Sequence, residues 1–373
     1  MGGRAAARAL GSIGTPTAAE ALLNALSNTP PGSLLDVCEG LFRCAETLRA
    51  QGQRQPAAAI YDRLLAVPGA AHQVRGGALR GAILTRQPEG SGMLKEYLRS
   101  KDYILFSAAV QTAQELPGLE VTQALAAELG QLPEDHAILV IQMLGKRGEV
   151  TSVPVLSAAA KAGSKPVRLA AIEAMAMLHG SAAASVLVEL VGDSDRDLAK
   201  AAQEGLASLP GKDTDAVVMS MLTSGDKVQK LAAIELIDRR WMTAAVPALM
   251  KAANDSESQV RAAALRRVGS LGSPSDLPKL LDVFVSLKQT EDLDAAEQAL
   301  SAVCSKDNNA DACADKLTSV LGKAQPAQTA ALLRVLSVVG GPSALKAVRT
   351  AVADGNADIR GAAIRALGAW KTA

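Results

Sequence analysis

The sequence predicts an all-α fold, a right-handed α-solenoid of stacked helical hairpins, and three observations lead to this prediction. The first is a triplet of small and aliphatic residues that returns every 31 residues. Its first members are Gly77, Ala108, Leu139, Ala170, Ala201, Ala232 and Ala263, followed at looser spacing by Ala295, Ala330 and Ala362. A constant period of roughly 20–50 residues is typical of solenoids, in which each repeat contacts only its neighbours.

The second observation is the spacing of apolar residues inside one repeat. Between Val167 and Leu178, apolar side chains recur at the three- and four-residue intervals of an amphipathic helix. Ahead of it the pattern predicts a first helix over 153–162, with Pro154 near its start and a break at Gly163. Each repeat is therefore predicted to be one hairpin of two helices, packed closely through its small residues.

The third observation is the composition. Of 373 residues, 49% are hydrophobic but only 2% are aromatic, so the core must consist of aliphatic side chains. The 39 basic and 38 acidic residues nearly cancel, which argues against a nucleic-acid partner because nucleic-acid-binding proteins carry a net basic surface. No apolar run approaches the ~20 residues that a membrane-spanning helix needs.

We expect a single solenoid over residues 1–373. Its predicted parts are a truncated first repeat (1–36), an irregular tetratricopeptide-like hairpin (37–68), regular repeats (69–292) and looser repeats (293–373). The hairpin is predicted from two helical patterns, 41–52 and 57–65. Residues 4–11 read as the second helix of a repeat without its first, so we expect the chain to be a fragment of a longer protein.

Several segments carry a family resemblance. Residues 260–269 (VRAAALRRVG) and 359–368 (IRGAAIRALG) resemble the short bacterial HEAT repeat that phycobilin-lyase-type HEAT proteins share. Residues 59–65, 115–128 and 209–215 are similar to the HEAT region of large exported planctomycete-type multidomain proteins. The resemblance implies a HEAT-like solenoid, a periplasmic or extracellular location and a neighbouring 3-keto-disaccharide hydrolase-type domain. It carries over no catalytic residue.

No arrangement of residues predicts catalysis, a metal site or a cofactor. The sequence lacks a nucleophile elbow, a phosphate-binding loop and a dinucleotide fingerprint. The polar loop 305–312 begins like a calcium loop but lacks the glycine and glutamate that such a loop needs. The three histidines fall at unrelated positions of the repeat, namely His72, His136 and His179. We therefore expect a protein that is not an enzyme.

The four cysteines form two pairs along the chain. Cys38 and Cys44 lie out of phase in one helical pattern, so we expect two buried thiols. Cys304 and Cys313 flank the polar loop 305–312. Two alternatives stay open for this second pair: a disulfide, which would suit an exported protein, or two free thiols.

The residue that follows each core triplet is polar. These residues are Arg80, Gln111, Gln142, Glu173, Glu204, Glu235, Arg266 and Gln298. Because equivalent residues of stacked helices lie in a row, we expect an acidic row of Glu173, Glu204 and Glu235 on the second helices. In HEAT solenoids these helices line the concave groove. The alternative is an ordinary solvated helix face.

Basic residues and one tryptophan extend the acidic row. The basic residues are Arg239, Arg240, Arg266 and Arg267. Trp241 is either an exposed anchor for a partner or a plug at a helix end. A further basic set at the start of the second helices is assigned to the scaffold, as a ladder between repeats: Arg75, Arg168, Lys230, Arg261 and Arg360.

Together these residues predict a monomeric, non-catalytic interaction scaffold without a cofactor. Its partner would be a protein segment or a neighbouring domain of the same chain, held against the second helices. The first alternative is a structural spacer that positions an exported carbohydrate-active domain. The second is a lyase or DNA glycosylase of HEAT type, which the near-zero net charge and the few aromatic and histidine residues disfavour.

Overall fold

The structure, a computed structural model, describes residues 2–87, 90–178 and 180–370, and every regular element in them is helical. Within these ranges the α-helices are α1 (Gly2–Ile13), α2 (Pro16–Leu26), α3 (Leu34–Ala50), α4 (Arg54–Leu65), α5 (His72–Thr85), α6 (Gly90–Leu98), α7 (Tyr103–Thr112), α8 (Leu119–Glu128), α9 (Glu134–Arg147), α10 (Val153–Ala162), α11 (Lys165–Ala176), α12 (Ser181–Leu190), α13 (Arg196–Ser208), α14 (Lys212–Ser224), α15 (Lys227–Arg239), α16 (Val246–Ala252), α17 (Ser258–Leu271), α18 (Leu277–Ser286), α19 (Leu293–Cys304), α20 (Ala310–Thr318), α21 (Pro326–Val339), α22 (Gly341–Ala351) and α23 (Ala357–Gly368). His179 lies outside the described residues.

The chain forms two compact units, Met1–Ala183 and Ala184–Ala373. In the first unit the second helices of the repeats are α1, α3, α5, α7, α9 and α11, and each packs against the next. In the second unit the same series runs through α13, α15, α17, α19, α21 and α23. The even-numbered helices supply the first helix of each hairpin. This arrangement confirms the α-solenoid, while the subdivision of the repeats at residues 36, 68 and 292 stays a prediction.

The core triplets lie in the second helices from α5 to α17, as predicted. Their second members are buried in every case, and their third members are buried except for the half-buried Gln203 in α13. Close packing demands some of the small residues. A Cβ atom added to Gly145 of α9 would lie 2.8 Å from the Cα atom of Ala174 in α11. The two helix backbones can therefore approach this closely only with glycine at that position.

The polar residues that follow the triplets are all exposed, from Arg80 in α5 to Gln298 in α19. In the predicted basic ladder, Arg75, Lys230 and Arg261 join successive repeats, and Arg168 and Arg360 donate within their own hairpins. Arg75 donates to Asp102 at 2.5 Å and Lys230 donates to Asp255 at 2.7 Å. Arg261 repeats the pattern with Asp292 at 2.6 Å, Arg168 donates to the carbonyl of Ala160, and Arg360 donates to the carbonyl of Asp354. These contacts confirm a scaffold role for the ladder.

The first pair of cysteines along the chain lies in α3. Cys38 and Cys44 of α3 are buried and free, and desolvation raises the pKa of both thiols. The neighbouring α4 contributes Tyr61, which is fully buried and donates to Glu46 at 2.5 Å. Among the described residues, no helix is both long and apolar enough to cross a membrane.

Candidate protein-binding surface

The second helices of the second unit present the predicted charged row to solvent. Glu204 of α13, Glu235 of α15 and Arg266 of α17 are exposed, and they are equivalent residues of successive repeats on helices that pack side by side. Helices in such contact lie about 8–10 Å apart, which sets the spacing of the row. Glu173 is also exposed, on α11 of the first unit.

The charged groups around α15 fall into two classes. Asp238 accepts from Arg267 at 2.9 Å and from Ser270 at 2.7 Å, so these side chains hold α15 against α17. By contrast, neither a hydrogen bond nor an ion pair is made within the described residues by the side chains of Glu235, Arg239 and Arg266. Glu204 approaches only Lys200, at 3.8 Å. The exposed charges are therefore available to a partner.

Arg240 belongs to the scaffold, not to the exposed row in which its sequence position places it. Its side chain is only 10% exposed and donates to Asp215 at 2.7 and 2.9 Å. It also donates to the carbonyls of Leu206 and Leu209, at 3.0 and 2.5 Å, where α13 ends. Since carbonyls at a helix C-terminus lack intrahelical partners, the guanidinium satisfies groups of the preceding repeat.

The same clamp recurs at two other repeats. Arg147, three periods before Arg240, donates to the carbonyls of Leu116 and Gly118, both at 2.9 Å. Lys306 donates to the carbonyls of Gly269 and Gly272, both at 2.8 Å, and burial lowers the pKa of its ammonium group. Each of these basic side chains lies at the end of a second helix. It ties that helix to the second helix of the preceding repeat.

Trp241 combines high exposure with an unusual backbone. Its side chain is 67% exposed, so it does not plug a helix end. Its φ is 53°, and it is the one residue other than glycine with positive φ in residues 2–87, 90–178 and 180–370. Gly148 occupies the equivalent position three repeats earlier, with φ of 71°. A bulky residue in the left-handed region is a conformational outlier, and such outliers concentrate at functional sites.

The polar loop 305–312 is closed by a disulfide between Cys304 and Cys313, whose Cα atoms lie 6.1 Å apart. Its oxygen atoms serve the backbone: Asn309 accepts from the N–H of Ala312 at the start of α20, and Asp311 accepts from Ser343 at the start of α22. In the described part of the chain, no group of three or more metal-binding side chains occurs.

Sequence reasoning missed a cavity of about 430 Å³ in the first unit, between the end of α6 and the start of α9. Its lining includes Arg99, Lys101, Glu128 and His136. One signal was available in the repeat: Glu128 is a carboxylate at a position where later repeats carry apolar side chains. Another cavity, of about 410 Å³, lies between α5 and α7.

Comparison with known proteins identifies the repeats. The family model described as HEAT repeats matches residues 122–207 and 216–301, and the one described as PBS lyase HEAT-like repeat matches residues 4–28. No curated protein matches the sequence significantly.

Solved structures of Kap121p share the fold at low identity. Kap121p bound to Nup53p is 13% identical with a TM-score of 0.50, over 99% of this chain and 49% of that chain. Kap121p bound to Ste12p is 13% identical with a TM-score of 0.50, over 98% of this chain and 49% of that chain. The CpcE–CpcF complex of phycocyanin lyase from Nostoc sp. PCC7120 is 18% identical with a TM-score of 0.31, over 62% and 94%. The chain thus spans about half the length of the Kap121p chains that it matches.

Proposed function

Because this chain belongs to the HEAT-repeat family, we propose that it is a non-catalytic interaction scaffold whose surface around α15 holds a protein partner. The observation that carries the proposal is Trp241, a large aromatic side chain that is both exposed and held in a left-handed backbone conformation. The partner is a protein segment or a neighbouring domain of the same polypeptide. The chain itself acts by shape and charge.

Two features of Trp241 disfavour it in the unbound protein. An L-residue in the left-handed region costs roughly 1–2 kcal/mol relative to the right-handed region. An indole ring in solvent also forgoes burial of a large apolar surface. A partner that covers the ring would gain the free energy of burying this apolar surface. Tryptophan and arginine are also the residues that most often dominate binding energies at interfaces. Arg239 lies two residues before Trp241 and is exposed with it.

The exposed charges of α13, α15 and α17 define what the partner presents. Glu204 and Glu235 would meet basic groups, whereas Arg239 and Arg266 would meet acidic groups. None of these four side chains is committed to a strong ion pair within the described residues, so the partner need not displace an existing contact. Kap121p, which has the same fold, has itself been seen bound to Nup53p and to Ste12p, and this supports a protein as the partner.

The test is affinity capture from the source cell with four forms of the chain as bait, namely the wild type and three variants, followed by mass spectrometry. Trp241→Gly removes the ring and places glycine where Gly148 shows that glycine is accommodated. A Glu204→Lys/Glu235→Lys double variant reverses the acidic charge. The matched control is Glu20→Lys on α2, which reverses an exposed charge outside the surface.

We expect one partner to be retained by the wild type and by the control but lost from both surface variants. A truncating substitution at an interface anchor costs about 2 kcal/mol or more, so retention should fall at least roughly thirtyfold. A partner that all four baits retain equally would contradict the site. If no bait retains a partner, the competing proposal of a structural spacer gains.

We further propose that the protein is exported, since disulfides persist mainly in oxidising compartments and Cys304 and Cys313 form one. Alkylation of cell extracts under acid quench, followed by mass spectrometry of the peptide that carries both cysteines, tests the proposal. An alkylated pair in freshly quenched cells would overturn it.

A further inference from the structure

The cavity between α6 and α9 is lined by both apolar and polar side chains. Leu98, Leu132 and Pro133 contribute the apolar part of the lining, and Arg99, Lys101 and His136 contribute cationic or donor groups. Its volume of about 430 Å³ lies within the range of small-molecule sites, roughly 300–1,000 Å³. All these residues belong to the first unit.

Glu128 in the wall of this cavity breaks the pattern of the repeat. Equivalent residues of later repeats are all apolar: Ala159 is half-buried, and Leu190, Met221 and Ala252 are buried. Glu128 is just as buried, at 6% exposure, although burying a carboxylate is costly unless it is paired. The core of the hairpin therefore accepts an apolar residue at this position, and the carboxylate serves another purpose.

That purpose is to hold Arg99. The two oxygens of Glu128 accept from Nη2 and Nε of Arg99, at 2.7 and 2.9 Å. This fork fixes the plane of a guanidinium whose side chain is 72% exposed in the cavity lining. Its Nη1 donates to no other group of residues 2–87, 90–178 and 180–370. A buried acid thus orients an exposed base, and the two N–H groups of Nη1 remain for a ligand.

A second part of the lining is also held in place. The ring of His136 lies 4.0 Å from the ring of Phe106 and 5.4 Å from that of Tyr103, between centroids, and its Nδ1 lies 2.9 Å from Asp135. Lys101 makes no hydrogen bond or ion pair within the part of the chain that the structure describes. Among the residues that line the cavity, Glu128 balances Arg99 and Lys101 adds one positive charge, while the carboxylate of Asp135 lies outside the lining, beside His136.

We propose that this cavity binds a monoanionic carboxylate with a bulky apolar body. The apolar part would fill the space beside Leu132 and Pro133, and the carboxylate would accept from Lys101 and from Nη1 of Arg99. Glu128 acts as a positioning residue, because it touches Arg99 and not the ligand. A cation would be repelled by Lys101, and a neutral ligand would leave the ammonium uncompensated. Such a carboxylate could belong to a free organic acid or to the C-terminus of a peptide chain.

The test uses three probes that share one apolar body, namely 2-naphthoate, 2-naphthamide and 2-naphthylmethylammonium. Their dissociation constants for the full chain are measured by isothermal titration calorimetry at neutral pH. We expect naphthoate to bind about tenfold or more tightly than the amide, and the ammonium to bind most weakly. A peptide ending in phenylalanine, with a free carboxylate or a C-terminal amide, forms a second arm. Tighter binding of the peptide acid than of naphthoate would assign the site to a chain terminus, and the reverse order to a free acid.

Variants locate the binding. Lys101→Gln and Arg99→Gln should each weaken naphthoate about fivefold or more, whereas Lys279→Gln, at an exposed lysine of the second unit, should not. Glu128→Leu restores the apolar pattern, so we expect the thermal midpoint to be unchanged or higher while naphthoate binding weakens. A purely structural Glu128 would instead lower the midpoint. Trp241→Gly should leave naphthoate binding unchanged, which separates this site from the proposed protein-binding surface.

Three results would overturn the proposal. One is equal affinity of the three naphthalene probes, and another is the absence of naphthoate binding at about 1 mM, the weak end of measurable affinities. The third is naphthoate binding that Lys101→Gln and Arg99→Gln both leave unchanged.

Discussion

Two substitutions of Trp241 separate the free-energy cost of its backbone conformation from the contribution of its ring. Trp241→Ala and Trp241→Gly both remove the ring, but only glycine adopts positive φ without a steric penalty. We therefore expect the glycine variant to be more stable than the alanine variant by about 1 kcal/mol. Urea denaturation followed by circular dichroism measures the difference.

The equivalent residue Gly148 provides the control for Trp241. Gly148→Ala introduces the same conformational penalty and should lower the free energy of unfolding by about 1 kcal/mol. Equal stability of the alanine and glycine variants at residue 241 would show that the left-handed conformation there is not maintained in solution. The backbone conformation of Trp241 would then no longer support a binding site there.

Asp102 makes a pH-dependent contribution to the first unit. Its hydrogen bond from Arg75, opposed in part by desolvation, holds the pKa of Asp102 below its ordinary value, and the N–H groups of Leu105 and Ile104 act in the same direction. A carboxyl group whose pKa is lower in the folded than in the unfolded state stabilises the folded state. This contribution is complete above the unfolded pKa of about 3.9. That stabilisation is lost as the pH falls through the folded pKa.

Asp102→Asn tests this linkage, since asparagine still caps α7 but carries no charge. At pH 7 the wild type should be more stable than the variant by about 0.5–1 kcal/mol. The difference should shrink as the pH falls below about 4 and disappear once the pH lies below the folded pKa of Asp102. Urea denaturation at a series of pH values measures it, with Asp213→Asn at an exposed aspartate as control. A difference that does not change with pH would contradict the ion pair.

At the scale of the helix, Arg239 and Arg240 are neighbours with opposite roles. Arg239 is the last residue of α15 and is exposed, whereas Arg240 turns back to the carbonyls where α13 ends. Arg240→Met leaves those carbonyls and Asp215 without a charged donor, so we expect a loss of about 2–3 kcal/mol in the free energy of unfolding. Arg239→Met should change it by less than about 0.5 kcal/mol.

Thermal and urea denaturation of the two methionine variants decide between the roles. If both variants lose the same stability, Arg240 is not a clamp. If Arg240→Met alone abolishes partner capture while folding normally, the residue belongs to the binding surface after all.

Helices and core were predictable from sequence because they follow the period. Small and aliphatic triplets mark the second helices, and the polar residue after each triplet is exposed as expected. The sequence could not separate Arg239 from Arg240, since the helix ends between them and a one-residue change of boundary reverses which side chain points back. The conformation of Trp241 had a visible signal, because Gly148 stands three periods earlier. The clamp made by Lys306 had no such signal in the sequence, because the repeats around it no longer keep the 31-residue period.

At the scale of the whole chain, a solenoid transmits little beyond adjacent repeats, because each repeat contacts only its neighbours. The disulfide between Cys304 and Cys313 tests this property. It ties α19 to α20, while Lys306 and Asp311 of the same loop reach α17 and α22 in the adjacent repeats. Closing a loop of this size stabilises the folded state by about 2–3 kcal/mol in the chain-entropy description.

We therefore expect a Cys304→Ala/Cys313→Ala variant to lose hydrogen-exchange protection in a limited region. Protection measured by mass spectrometry should fall in α17 to α22, where the loop and its contacts lie, and stay unchanged in α1 to α5 of the first unit. Addition of a reductant to the wild type should produce the same map, because Cys38 and Cys44 are already free thiols. A uniform loss of protection across the chain would mean that the units unfold as one cooperative body. In that case nearest-neighbour stability would not describe this solenoid, and effects of variants at the α15 surface could not be treated as local either.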